Sequence, residues 1–257
     1  ACEPGPRRAL ELVRAALRRW AAPAERARLH TLRTEIRAMV EDGGPAIKPC
    51  AVGIIGTPGS TKSRYVDNMH MREPAPGERR GRHAIQYNPQ ADCSADLRSD
   101  FAGQVAALVN CYPEPVDGAP TVCTSPWTVV AHALALVLDN AIDMRVFRAA
   151  LADVLARGWL PLGIVAVHTH VRDNITHVRL RGGASDRHLT DDLMASAAAA
   201  TMVLTDMLQG LCCVRHAYGE LNADGLEHFH NDITDACELV LRQLELEQLR
   251  PGGEGNE

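Results

Sequence analysis

The sequence predicts a helix-rich α/β fold: a small sheet carrying a phosphate-loop-like turn and a β-hairpin, then a helical C-terminal third. Three observations predict it. The apolar, β-branched run Ala51-Val52-Gly53-Ile54-Ile55 breaks into Gly56-Thr57-Pro58-Gly59-Ser60-Thr61-Lys62-Ser63, which is the order of strand, glycine-rich turn and helix start. Hydrophobic residues make up 46% of the chain and aromatics only 4%, so the core must be built from Ala, Leu and Val, mostly in helices. Residues 162–171 and 175–181 both alternate apolar with polar positions around Arg172-Asp173-Asn174, the pattern of two strands joined by a turn.

Taken in order, Leu10, Val13, Leu17 and Trp20 recur at helical spacing with arginines on the other face. Pro23 is suited to open a second helix, whose stripe of Leu29, Leu32, Ile36 and Val40 runs to a stop at Asp42-Gly43-Gly44-Pro45. These two helices read as an antiparallel pair forming a first unit, residues 1–45. Residues 46–183 read as the phosphate-loop-like α/β core. Within it, 72–82 is polar and broken by Pro and Gly, 96–110 suits a helix, and 112–126 has the prolines of an irregular connection. Residues 128–140 are apolar almost throughout, as expected of a buried helix or a helix running into a strand. Residues 144–157 form an amphipathic helix stopped by Gly158. A third, helical unit spans 184–250. It holds a long Ala/Met/Leu helix over 190–213 started by Thr190-Asp191-Asp192, and a last helix over 231–249 capped at Asn231 or Asp232. Residues 251–257 read as a frayed tail.

Composition narrows the function. The formal net charge of −5, with dispersed arginines, argues against nucleic acid as the main partner. No apolar run reaches the roughly 18–20 residues that span a bilayer, and no secretory h-region is visible, so a soluble protein with no membrane partner is expected. Eight cysteines without a C-x-x-C pair point to a reducing, cytoplasmic interior. Long Ala/Met helices of this kind pack against copies of themselves, so a homo-oligomer is expected.

The chemistry centres on the turn. Against the template G-x-x-x-x-G-K-[ST], Gly56, Lys62 and Ser63 fall in register and Thr61 occupies the second glycine. In such a loop, backbone N–H groups and the helix start converge on an anion, the ammonium reaches the β/γ-phosphates, and the hydroxyl of Ser63 holds Mg²⁺. Gly56, Gly59, Ser60, Thr61, Lys62 and Ser63 are therefore the candidate nucleotide-binding residues, with ATP or GTP and Mg²⁺ as cofactors. Lys48 and Lys62 are the only lysines among 27 basic residues. An ammonium retained against so strong a preference for arginine, at this position, singles Lys62 out.

Further motifs follow: Asp67 in Arg64-Tyr65-Val66-Asp67-Asn68-Met69-His70, then Tyr87-Asn88-Pro89-Gln90-Ala91-Asp92. After these come Asp139, Asp143, Arg145, Arg148, Asp153 and the pair Arg157-Gly158. This order resembles the uridine-kinase-like branch of the P-loop kinases, over residues ~51–158. The resemblance implies a phosphotransferase acting on a small hydroxylated substrate, with Asp67 accepting the hydroxyl proton and Arg148 and Arg157 contacting phosphates. Asp139, at the end of the apolar run 134–138, would be a Mg²⁺ carboxylate if that run were a strand.

A rival reading rests on histidine. On a hairpin, His168 and His170 share one sheet face and His177 pairs across, a set that could hold Zn²⁺. Cys212 and His216, at helical i,i+4 spacing, form a smaller set of the same kind. The corresponding alternative is a non-enzymatic helical structural or interaction protein, zinc-stabilised and self-assembling, in which residues 56–63 are merely a turn.

Overall fold

The computed structural model describes residues 6–41, 52–62, 64–66, 83–85, 121–125, 127–156, 163–182, 189–222 and 224–248. Two helices lead, α1 (Pro6–Trp20) and α2 (Pro23–Glu41), followed by strand β1 (Val52–Gly56). Then come β2 (His83–Ile85), β3 (Thr121–Thr124), helices α3 (Trp127–Leu138) and α4 (Met144–Ala156), and β4 (Gly163–Thr169). Helices α5 (Val171–Arg181) and α6 (Asp191–Leu208), strand β5 (Cys213–Gly219) and helix α7 (Gly225–Gln248) complete the described chain.

The five strands form one parallel sheet in the order β2-β3-β1-β4-β5. Strand β1 is central, and all five of its residues are buried. An all-parallel sheet needs helices on both faces, and both faces are covered here. On one face Ile55, Ile164 and Ala166 pack beneath α1, α2, α3, α4 and α6, with Trp127, Phe147, Leu134 and Leu204 fully enclosed. On the other, Val52, Ile54, Val165, Val167 and Ala217 pack against Phe229, Ile233, Ala236 and Val240 of α7 and against Tyr65 and Val66. Neighbours in sequence, such as Ile54 and Ile55, fall on opposite faces, as the period-two geometry of a strand requires.

Several sequence expectations hold and several are corrected. The helix-rich α/β class is observed, as are β1, α1, α2, α4 and the strand over 163–169. The run from 128 is a helix through Leu138 with no strand following it. The β-hairpin is not formed. Residues 171–181 are helix α5, and β4 pairs in parallel with β1 and β5. Val171, Ile175 and Val178 sit at helical i, i+4, i+7 spacing and bury together against Met194 and Ala195. The apparent alternation of 175–181 leaves Leu180 79% exposed, so it was incidental. Strand β3 lies inside the segment read as irregular, and β5 inside the chain read as helix and its sequel. Helix α6 stops at Leu208 because Gln209 is extended and Gly210 takes φ 90°. Its predicted start is right: Thr190 Oγ1 accepts the N–H of Leu193 at 3.2 Å. Helix α7 begins at Gly225, whose N–H is capped by Asn222 Oδ1 at 2.6 Å, rather than at 231. Residues 72–82, 96–110 and 251–257 lie outside the described residues.

Candidate phosphate-binding turn

β1 ends at Gly56, where a Cβ would meet Ser60 Oγ and the Val167 carbonyl oxygen, each at 2.9 Å. Only glycine lets the chain turn this sharply between its own loop and β4. Thr57 to Ser60 form a turn closed by Ser60 N–H donating to the Thr57 carbonyl at 3.2 Å. Gly59 takes φ 82°, and the backbone of Asn174 in α5 rests directly against it. Thr61 takes φ 59°, the left-handed conformation the template assigns to a glycine, and a helical turn starts at Lys62 with Tyr65 N–H bonded to the Thr61 carbonyl at 2.9 Å.

Lys62 folds back over this turn. Its Nζ donates to the carbonyl oxygen of Thr57 at 3.2 Å. Desolvation at the ammonium, with the like charge of Arg181 adding to it, pulls its pKa down to about 8. A desolvated cation is costly unless something negative joins it. On the same turn Ser60 Oγ and Thr61 Oγ1, and on the adjoining α5 Asn174 Nδ2, are buried with no hydrogen-bond partner among the described residues. Ser60 and Asn174 are fully enclosed. Asn174 is oriented by Thr169, whose Oγ1 donates to Asn174 Oδ1 at 2.5 Å. This leaves the amide's donor end unspent. Buried donors without acceptors are uncommon in native proteins, and donors on the turn that carries an ammonium suit an anion.

The placement agrees with the general rule for open parallel sheets, in which ligands bind beyond the carboxyl ends of strands where the connections diverge. β1 is that position: its neighbours β3 and β4 lie on opposite sides, and the turn follows its carboxyl end.

Of the residues singled out from sequence, Gly56, Gly59, Ser60, Thr61 and Lys62 come together in one turn. Ser63, Asp67 and Arg157 lie outside the described residues. Two others are elsewhere. Asp139 follows the end of a helix rather than a strand and forms an ion pair with Arg19 at 2.8 Å, which removes the basis for a Mg²⁺ role. Arg148 sits on α4 and donates both Nε and Nη2 to Glu35 of α2, at 2.8 and 2.7 Å, and this holds the Glu35 carboxyl below its ordinary pKa. Arg145 is bound to Asp143 on the same segment. Arg148→Ala is therefore expected to leave ligand-induced stabilisation unchanged and to cost only the small, salt-screened increment of an exposed ion pair. Parallel melts with and without Mg-ATP check this, and a lost ligand shift would return Arg148 to the site.

The histidine set is also corrected. His168 lies on β4, His170 immediately precedes α5, and His177 is on α5, so the three do not share a sheet face. Among the described residues no group of three or more His, Cys, Asp or Glu side chains could hold a metal ion. Asn174, a turn residue on the hairpin pattern, carries no local signal that would place it against the turn at Gly59. The grouping of His168 with His216 and Tyr218 likewise has no local signal, because only the register of β4 on β5 creates it. No helix among the described residues is long and apolar enough to cross a membrane. No protein-family model matches the chain, and comparison with curated proteins finds no match.

Proposed function

We propose that this protein binds a nucleotide through the turn 56–62, and that it is a phosphotransferase using Mg-ATP or Mg-GTP on a small hydroxylated substrate. One observation carries the reading: a desolvated ammonium folded over a tight turn at the carboxyl end of the central strand, with buried donors on that turn and on α5 that find no acceptor among the described residues. In this reading Lys62 neutralises the β/γ-phosphates. The N–H groups of the turn and of the helix start at Lys62 surround the terminal phosphate. Ser60, Thr61 and Asn174 supply the neutral donors. Phosphoryl transfer asks little covalent chemistry of a protein beyond positioning and charge stabilisation, which suits a site of this kind. Ser63 as the Mg²⁺ hydroxyl and Asp67 as the acceptor of the substrate's proton complete the proposal from sequence.

Thermal melts with Mg-ATP and Mg-GTP test it. A ligand held at a hundredfold excess over Kd should stabilise the fold by about 2.7 kcal/mol. No shift with either nucleotide across millimolar concentrations would sink the reading. Release of nucleoside diphosphate in the presence of hydroxylated acceptors then distinguishes transfer from binding alone.

A further inference from the structure

At the same carboxyl end of the sheet, beyond β4 and toward the edge strand β5, three rings lie nearly parallel. His168 and His216 have centroids 5.1 Å apart with planes inclined by 24°. His168 and Tyr218 are 4.8 Å apart at 20°, and His216 and Tyr218 6.2 Å apart at 22°. His168 Nε2 and His216 Nδ1 share a hydrogen bond at 2.9 Å, which fixes both imidazoles in a common orientation. The register explains the grouping. Ala166 pairs with His216 and His168 with Tyr218, so all three side chains project from one sheet face. On that face Ile164 and Ala166 are buried beneath helices, and the row emerges into solvent at Tyr218, which is 63% exposed.

Burial pushes His168 down to about 4, with His216 adding to it, and burial lowers His216 as well. Both imidazoles are therefore neutral at pH 7. The surface they make with Tyr218 is flat, aromatic and uncharged, in a part of the sheet whose other chemistry is cationic. An exposed tyrosine stacked on two neutral imidazoles offers a π-face and little else. Stacking on such faces is how proteins hold bases without reading their edges.

Position links this surface to the turn. Gly56, where the turn begins, is paired with Val167, so His168 is the next residue along the adjacent strand, and Tyr218 is its partner one strand further. Two strand spacings, about 10 Å, separate the turn's strand from Tyr218. A nucleoside polyphosphate spans such a gap between its terminal phosphate and its base.

We infer that the His168–His216–Tyr218 surface is the base-stacking subsite for a nucleotide whose phosphates occupy the turn 56–62. This rests on the phosphate reading of that turn. It adds a reason for choosing a nucleotide over a simple phosphate or phosphosugar: an exposed aromatic face stacks a base. Tyr218, the exposed member, supplies the outer face, and the two histidines hold it in plane from beneath.

The test compares three probes, Mg-ATP, Mg-GTP and inorganic tripolyphosphate, on the full chain and on two variants by isothermal titration calorimetry. The native protein should bind either nucleotide at least about tenfold more tightly than tripolyphosphate, the increment stacking provides. Tyr218→Ala should lose that advantage while binding tripolyphosphate as before, and Tyr218→Phe should keep it. Since Tyr218 is exposed, the alanine variant leaves the core intact. Unchanged nucleotide affinity in Tyr218→Ala would overturn the inference. Tripolyphosphate bound as tightly as ATP by the native chain would also overturn it, leaving the phosphate reading in place. A native chain that binds none of the three probes would overturn both.

Discussion

Lys62→Met should abolish nucleotide-induced stabilisation and, at the same time, make the ligand-free protein more stable by about 2 kcal/mol near neutral pH. The two effects have one cause. The ammonium is held in a desolvated position beside the like charge of Arg181, and its pKa falls from 10.5 to about 8. Each unit of that shift corresponds to about 1.4 kcal/mol of preference for the neutral form, some of which solvent access to the half-buried side chain returns. Methionine fills a similar volume without the charge, and the Thr57 carbonyl keeps the N–H of Ser60. A protein that retains so costly a cation does so for what the cation contacts.

The pH dependence has a definite sign. Below pH 8 Lys62 is protonated in both the folded and unfolded chain, and the full penalty is present. Between pH 8 and 10.5 the unfolded chain holds more protons than the folded one, so stability rises with pH. Tyr65 acts the other way above pH 10, because burial raises its pKa and the folded state then holds the extra proton. Cys212 acts the same way as Tyr65 but from about pH 9, because burial pushes its thiol up to about 12, so the useful window is pH 8 to 9. Across it the native protein should gain stability and Lys62→Met should not, as read by urea melts at several pH values. A variant whose stability and nucleotide response both match the native protein would show that the lysine is a solvated surface charge.

Gly59→Ala is expected to destabilise the protein by about 2–4 kcal/mol and to remove ligand binding with it, whereas Thr61→Gly should stabilise it by about 1 kcal/mol and weaken binding only by the one neutral donor it gives up. Both residues occupy the left-handed region, Gly59 at φ 82° and Thr61 at φ 59°. For Gly59 the conformational strain is compounded by contact: a Cβ would lie 2.5 Å from the Asn174 carbonyl oxygen. Asn174 cannot retreat cheaply, since its N–H is bonded to the His170 carbonyl and its side chain to Thr169. The turn would have to lift away from α5. Thr61 presents the opposite case. A β-branched residue at positive φ is strained, and its Oγ1 is buried without a partner among the described residues. Glycine relieves both, at the cost of a more flexible unfolded chain, which trims the gain. Denaturant melts of the two variants measure the difference directly. Destabilisation by Thr61→Gly would mean that the threonine side chain makes a contact worth more than its strain.

The candidate turn was legible because its signals are local. A β-branched run, a glycine where the strand must break, and a lysine at the start of a helix are all written within a dozen consecutive residues. Even the departure from the template has a local consequence, since Thr61, at the template's second glycine, takes a positive φ. The amphipathic helices α1, α2 and α4 were equally plain, because their stripes bury one face at a single period. Where two periods fitted the same residues, the sequence could not choose. Residues 175–181 alternate like a strand and also place Ile175 and Val178 on a helical stripe with Val171, and the packing of that stripe on α6 decided for the helix.

Chain order and residue chemistry alone thus determined that a strand breaks into a glycine-rich turn after Gly56, with Lys62 at the helix start that follows and helices on either side in sequence. Tertiary structure decided the rest. It set the parallel order of the sheet, put Asn174 against the turn, drew Asp139 and Arg148 away to partners on the N-terminal helices, and set His168 beside His216 and Tyr218. Strand β5 has no strong alternation because its edge position leaves much of it exposed. Its pairing with β4 joins residues about 50 positions apart, and a contact of that kind follows from inter-strand register rather than from any local period.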